Sequence, residues 1–244
     1  MNPVWRKTLS QSAQERGRVS DQDIVDHIRA AVLMQRLPPD TKLPEVTLGE
    51  VFGVSRSVVR KALTRLASEH VLDQRPNQVA RVRAPTIAET RETFSARRLV
   101  EGEAVALQAG KLDAAALATL EHHVVLEKQA YAKGDEPARI EHSLSFHHLL
   151  AAHTPNRILS SMLTDLIMRT SIVIALYKRP SLGSCYLEGD HARLLERLAS
   201  GNVDAARDGV HQHLNSLENL LDLCPRQSET DLMAIFGANA AVSE

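Results

Sequence analysis

The chain is predicted to be mainly α-helical, with a small N-terminal domain of three helices and a β-hairpin followed by an all-α antiparallel helical bundle. Residues 46–66, VTLGEVFGVSRSVVRKALTRL, read as two short helices around a glycine turn. From about residue 87 apolar residues recur at three-to-four-residue spacing between Gly and Pro breaks, with no long alternating run. Charge divides the chain at the same place. Residues 1–85 hold 14 Lys and Arg against 9 Asp and Glu, leaving 15 against 21 of the totals of 29 and 30, so a net charge of −1 conceals a basic head on an acidic body. A basic head suits the counterion release that dominates nucleic-acid affinity.

Residues 1–19, polar and carrying Arg6, Lys7, Arg16 and Arg18, are expected to be a flexible arm. Ser20 and Asp23 form a capping-box start for a first helix in which Ile24, Ile28 and Val32 share a face, running to about Leu37 before Pro38-Pro39. The second helix is read from Thr47, as the cap paired with Glu50, through Leu48, Val51 and Phe52 to Gly53. Ser55 is the expected N-cap of a third helix whose Val59, Ala62, Leu63 and Leu66 face inward. That leaves Arg56, Ser57, Arg60, Lys61, Thr64 and Arg65 outward, a row of donors without an acid. Arg56 and Arg60, one turn apart, repel in water. A phosphate, or the O6/N7 edge of guanine, relieves that repulsion because it accepts the arginine fork. Val71-Leu72 and Val79–Arg83 are β-prone runs joined at Arg75-Pro76-Asn77-Gln78, a hairpin or wing. Residues 20–85 therefore read as a winged helix-turn-helix domain, with Thr47 and Ser55 joining the outward residues as DNA contacts.

Residues 87–224 are read as six helices. The first spans 88–110 and carries Phe94, Leu99, Val100, Ala104 and Leu107 inward, with Gly110 at its end. Asp113 caps 114–132, Gly134-Asp135 precedes 137–152, and Thr154-Pro155 is expected to start a helix continuing to Tyr177. Pro180–Gly183 precedes 184–200, and Gly201-Asn202 precedes 203–223. The short connections favour antiparallel neighbours. A tail, 225–244, makes at most one turn near Glu229–Phe236.

With 43% hydrophobic but only 3% aromatic residues, the cores must be built from Leu, Val, Ile and Ala. No membrane-spanning run and no secretion signal are read, so the expected location is cytoplasmic. Cys185 and Cys224, far apart and outside any CxxC pattern, suggest two buried thiols and no cysteine zinc site.

The histidines of the bundle stand apart. His191 lies ten residues before Gly201 and His213 twelve after it, so folding two helices back at that glycine brings both to one height. His147, after Phe146, offers a third imidazole from a facing helix. Three converging imidazoles suit Zn²⁺ or Ni²⁺ and leave positions open for water or a ligand. Metal-free recognition of an anion by the same rings is the competing reading.

Residues 20–83 resemble the winged helix of GntR-type transcription regulators, most closely at GVSRSVVRKAL, residues 53–63. The second part resembles the FCD ligand-sensing domain of the FadR branch. Arg97–Glu101, Phe146-His147 followed by Asn156, His191 with Gly201-Asn202, and His213-Leu214 carry that match. The resemblance implies a site with an Asp and a His four apart on one helix plus two further histidines, holding a divalent metal beside a small carboxylate. Mapped here, the histidines are His147, His191 and His213, the Asp position falls on Ser143, and Arg97 is the anion partner. The sequence also departs from the family at the wing, where Asn77-Gln78-Val79 stands for a glycine tip, and at Val46, where some relatives place an Arg. The expected protein is a non-enzymatic repressor, a homodimer on a palindromic double-stranded operator, controlled by a small organic acid bound at Arg97, Ser143, His147, His191 and His213. Two other classes are weighed. One is a helical metalloenzyme with Glu141 or Glu188 as base, for which no nucleophile, base and orienter assemble. The other is a non-specific structural DNA binder, against which the acidic body argues.

Overall fold

The computed structural model describes residues 19–179, 184–223 and 232–236. The arm expected at 1–19 lies almost wholly outside these residues, as do Pro180–Gly183, Cys224 and most of the tail. The chain divides into two units, 1–85 with 224–244, and 86–223.

In the first unit α1 (Asp21–Leu33) starts at Ser20 with the capping box read from sequence. It ends at Met34, earlier than the expected Leu37, because Gln35 turns left-handed at φ 57° before the proline pair is reached. A strand not foreseen, β1 (Lys42–Leu43), leads into α2 (Glu45–Phe52). The cap here is Pro44, with no side-chain bond, so the Thr47–Glu50 capping box is incorrect and Thr47 and Val46 lie within the helix. Pro44 wins because its fixed φ of −66° already suits a helix entrance three residues upstream. Gly53 closes α2 in the left-handed region, and α3 (Arg56–Ser68) follows Ser55, whose hydroxyl meets Ser57 Oγ at 2.8 Å rather than capping an amide. Val59, Ala62, Leu63 and Leu66 are buried, as the spacing requires. β2 (Leu72–Asp73) and β3 (Ala80–Val82) complete an antiparallel sheet of order β1-β3-β2. The wing's left-handed residue is Asn77, φ 59°, so the turn falls two residues before the Val79 that would resist it.

The second unit is helical throughout its described residues apart from connecting segments and one isolated bridge, Lys178 to Leu221. α4 (Ile87–Gln108) begins at an unforeseen capping box of Thr86 with Glu89. Its inward face is Phe94, Arg97, Glu101, Ala104 and Val105, while Leu99, expected inside, is 70% exposed. α5 (Ala114–Ala132) is capped by Asp113 and α6 (Glu136–His153) by Asp135. α7 (Arg157–Tyr177) is capped by Asn156, whose Oδ1 accepts from the amides of Ile158 and Leu159. Thr154 instead terminates α6, which corrects the Thr154-Pro155 start. α8 (Asp190–Ala199) starts later than expected, at a left-handed Gly189, and α9 (Val203–Asn219) is capped by Asn202. Ala104, Ala151, Leu163 and Ile167 form the shared core of α4, α6 and α7.

Contrary to the sequence expectation, α7 is by length and composition apolar enough to cross a membrane. Here it packs against α4 and α6, with Leu163, Ile167, Ile172 and Val173 buried. Cys185 is a buried free thiol, as expected.

In the first unit the short helix α10 (Leu232–Phe236) sets Phe236 against Phe52 of α2, ring centroids 5.5 Å apart, and Arg36 donates to the carbonyl of Ile235.

Candidate metal and DNA-contact sites

Five helices of the second unit bring their polar side chains to one point. Arg97 and Glu101, one turn apart on α4, form a fully buried ion pair, Nε to Oε2 2.7 Å. The other oxygen of Glu101 accepts from Nδ1 of His147 on α6 at 2.6 Å. Nδ1 of His191 on α8 donates to Glu127 of α5 at 2.6 Å, and Nδ1 of His213 on α9 donates to Asp190 at 2.7 Å. Each ring thus has a carboxylate behind it, the arrangement that fixes the Nδ1–H tautomer and turns the Nε2 lone pair away from the carboxylate.

The consequence lies between the rings. Nε2 of His147 and Nε2 of His191 are 3.2 Å apart, and one ligand atom from each of His147, His191 and His213 lies within 4.8 Å of the others. Two lone pairs at that separation repel unless a cation lies between them. A proton is disfavoured there. Burial holds both His147 and His213 below the ordinary imidazole range, overriding the pull of Glu101 and Asp190. The carboxylates behave oppositely. Burial pushes Glu101 up, but Arg97 and His147 outweigh it and leave it well below the usual range. Asp190, likewise raised by burial but lowered more by His213 and Arg193 together, is held at about 2. Within this cluster two buried atoms have no hydrogen-bond partner, Nη2 of Arg97 and Nε2 of His213. A cluster of imidazole nitrogens beside an unsatisfied guanidinium nitrogen fits a divalent cation with an anion bound next to it.

The three histidines read from sequence are therefore together, with Arg97 beside them. Ser143, half-buried, stands on α6 one turn before His147. The ion pair weighed against an anion role for Arg97 is present, yet Nη2 remains for a ligand. Sequence reasoning missed Glu127 and Asp190, and read Glu101 only as the partner of Arg97. Their signal was available for Asp190 alone, as the neighbour of His191; Glu127 comes from a helix with no motif.

In the first unit Arg56, Ser57, Arg60, Lys61, Thr64 and Arg65 lie exposed on one side of α3, together with Ser55 at its start. Thr47 is half-buried inside α2. The cations are not bare. Arg60 gives Nε and Nη2 to the two oxygens of Glu45 at 2.8 Å each, Arg56 Nη2 approaches Glu45 at 3.4 Å, Lys61 meets Asp21 at 3.1 Å, and Arg65 meets Glu69 at 3.3 Å. Arg56 and Arg60 keep side-chain exposures of 64% and 61%, so these are surface pairs in high dielectric that water or DNA can exchange. A groove lies between this side of α2 and α3 and the wing segment Arg75–Val79.

Both units match known protein families. Residues 21–82 match the model of bacterial regulatory proteins of the gntR family, and residues 92–216 match the FCD domain. The HTH-type transcriptional regulator LutR of Bacillus subtilis (strain 168) is 26% identical over 208 residues, covering 76% of this chain and 93% of LutR. An uncharacterized HTH-type transcriptional regulator of the same organism, YdhC, is 28% identical over 181 residues, covering 72% and 80%. Among solved structures, E. coli McbR/YncC superposes with a TM-score of 0.67 at 24% identity, covering 81% of this chain and 94% of that one. A putative GntR regulator from Rhodococcus sp. RHA1 gives 0.68 at 21% identity, covering 82% and 95%. These two likenesses concern the fold.

Proposed function

The chain belongs to the GntR family of bacterial transcription regulators, in its FCD-domain branch, and on that premise we propose that it is a repressor whose grip on DNA is set by a metal and a small carboxylate. The family consists of regulators and not enzymes, which sets the metalloenzyme reading aside. The protein acts as a homodimer on a palindromic operator, each winged helix reading one half-site, because a two-fold dimer presents two recognition helices at a fixed spacing. Arg56 and Arg60 read bases, Lys61 and Arg65 hold phosphate, and Ser55, Ser57 and Thr64 add hydrogen bonds.

The observation that carries the sensing half is the convergence of His147, His191 and His213, each ring oriented by a carboxylate at its Nδ1, of which Glu101 and Glu127 are buried and Asp190 is half-buried. These residues would hold Zn²⁺ or Ni²⁺, which supplies a Lewis-acidic anchor for a carboxylate oxygen. With Ser143 in place of an aspartate the protein contributes three nitrogen ligands and no carboxylate to the ion. The effector's own carboxylate would fill that place, and Nη2 of Arg97 would donate to it. An effector that favours one of two arrangements of the dimer shifts DNA affinity by its differential binding, no more and no less.

The test uses full-length protein and a duplex selected by that protein from a randomised pool. Arg60→Ala is expected to abolish binding to the selected duplex in a gel shift while the elution volume of the dimer stays unchanged. Retained binding removes Arg60 from the interface. Titration of the complex with Zn²⁺ or Ni²⁺ and a panel of mono-, di- and tricarboxylates is expected to find one combination that releases DNA; no response to any of them defeats the sensing reading.

A further inference from the structure

Glu45 occupies a place that a DNA-contacting surface has reason to avoid. It is the first residue of α2, it borders the groove shared with the wing, and its carboxylate takes both donors on one edge of Arg60 while Arg56 stands 3.4 Å away. That edge of Arg60 is a two-donor fork, the group that guanine O6 and N7 accept. The pair is not a packing device. Arg60 is 61% exposed, and a fork held by a carboxylate in water contributes little to a fold. Its effect lies in what the arginine can reach. Without Glu45, Arg60 would meet a duplex of any sequence as an uncommitted cation beside the phosphates. With Glu45 on its fork that charge is neutralised, and any phosphate contact sets the carboxylate against the backbone. In the major groove the fork meets neutral paired acceptors at a guanine instead, and Arg56 is already positioned to take the carboxylate that Arg60 releases.

We propose that Glu45 is a specificity-determining residue, a counter-anion that withholds Arg60 from phosphate and releases it to a guanine edge. This rests on the reading of Arg60 as a base contact. Glu45 acts through Arg56 and Arg60 and itself touches no base, so it sets the ratio of specific to non-specific affinity without adding a contact of its own. The single carboxylate lowers the cationic charge that the winged helix offers to DNA of any sequence.

The experiment compares wild type, Glu45→Gln, Glu45→Asp and Arg60→Ala as full-length protein by fluorescence anisotropy. The probes are the duplex selected by wild type from a randomised pool and poly(dI-dC), across a range of salt. Glu45→Gln is expected to bind poly(dI-dC) several-fold more tightly, with a salt slope steeper by about one unit for the extra phosphate neutralised. Its affinity for the selected duplex rises less, so the ratio falls. Glu45→Asp keeps the charge and stays near the wild-type ratio. The proposal is overturned if Glu45→Gln leaves the poly(dI-dC) affinity and slope unchanged. It is equally overturned if Glu45→Gln loses the selected duplex alone, which makes Glu45 a base contact. An Arg60→Ala protein that still prefers the selected duplex defeats the underlying reading of Arg60 instead, whatever Glu45→Gln does.

Discussion

At His147, His191 and His213 the chemistry is set by the carboxylates behind the rings. Glu101 shows this most clearly. It is wholly buried, with one oxygen on Arg97 and the other on His147. Replacing it by Gln leaves the Arg97 guanidinium charged and uncompensated in a dry interior, and breaking a buried pair in this way costs about 3–5 kcal/mol. Thermal denaturation of Glu101→Gln is therefore expected to show a large fall in Tm. A change within a degree of wild type would mean that water reaches the pair. The three imidazoles were legible in the sequence from the spacing of His191 and His213 about Gly201 and from the place of His147 after Phe146, and Arg97 from the family resemblance. Glu127 and Asp190 were not, because a carboxylate behind a ring is defined by distance in space, and Glu127 lies 64 positions from the histidine it orients. The same limit hid the pairing of Glu45 with Arg60, 15 residues away.

Among the elements, apolar spacing located every long helix, and errors gathered at the ends. α2 begins at Glu45 rather than after Thr47, and α7 at Arg157 rather than at Pro155, because several residues near each start can cap and tertiary contacts choose among them. β1, two residues long, is too short to leave a periodic signal, whereas β2 and β3 fall on the β-prone runs at Val71-Leu72 and Val79–Arg83. One connection has a sharper requirement. Gly110, left-handed at φ 67°, ends the α4 turn against Gly201, and its amide donates to the carbonyl of Leu198 at 3.0 Å. A Cβ at Gly110 would sit 2.9 Å from the Cα of Gly201, backbone that cannot swing aside. This contact fixes the corner between α8 and α9, which carry His191 and His213. Gly110→Ala combines unfavourable φ with that clash and is expected to destabilise the fold by more than about 1 kcal/mol, read from the urea midpoint at constant m-value. An unchanged midpoint would show that the corner relaxes freely.

For the molecule as a whole, the division of charge follows the division into units: the basic unit bears the exposed arginine row of α3, and the acidic one bears the three-histidine cluster. An ion that binds the folded protein and not the unfolded chain stabilises it by mass action, about 2.7 kcal/mol at a hundredfold excess over Kd. Adding Zn²⁺ or Ni²⁺ to chelator-stripped protein is accordingly expected to raise Tm by several degrees. His191→Ala removes one of the three nitrogens while leaving the winged helix untouched. It is expected to abolish the metal-dependent rise, and with it release of DNA by effector, yet to bind the selected duplex normally when no metal is added. A variant that loses DNA binding without metal would place His191 in the scaffold of the dimer instead of the sensor. One that keeps the full rise in Tm would place the ion elsewhere. Measured together, Tm and duplex affinity separate these outcomes, because the first reports occupancy of the histidine cluster and the second reports the recognition helix.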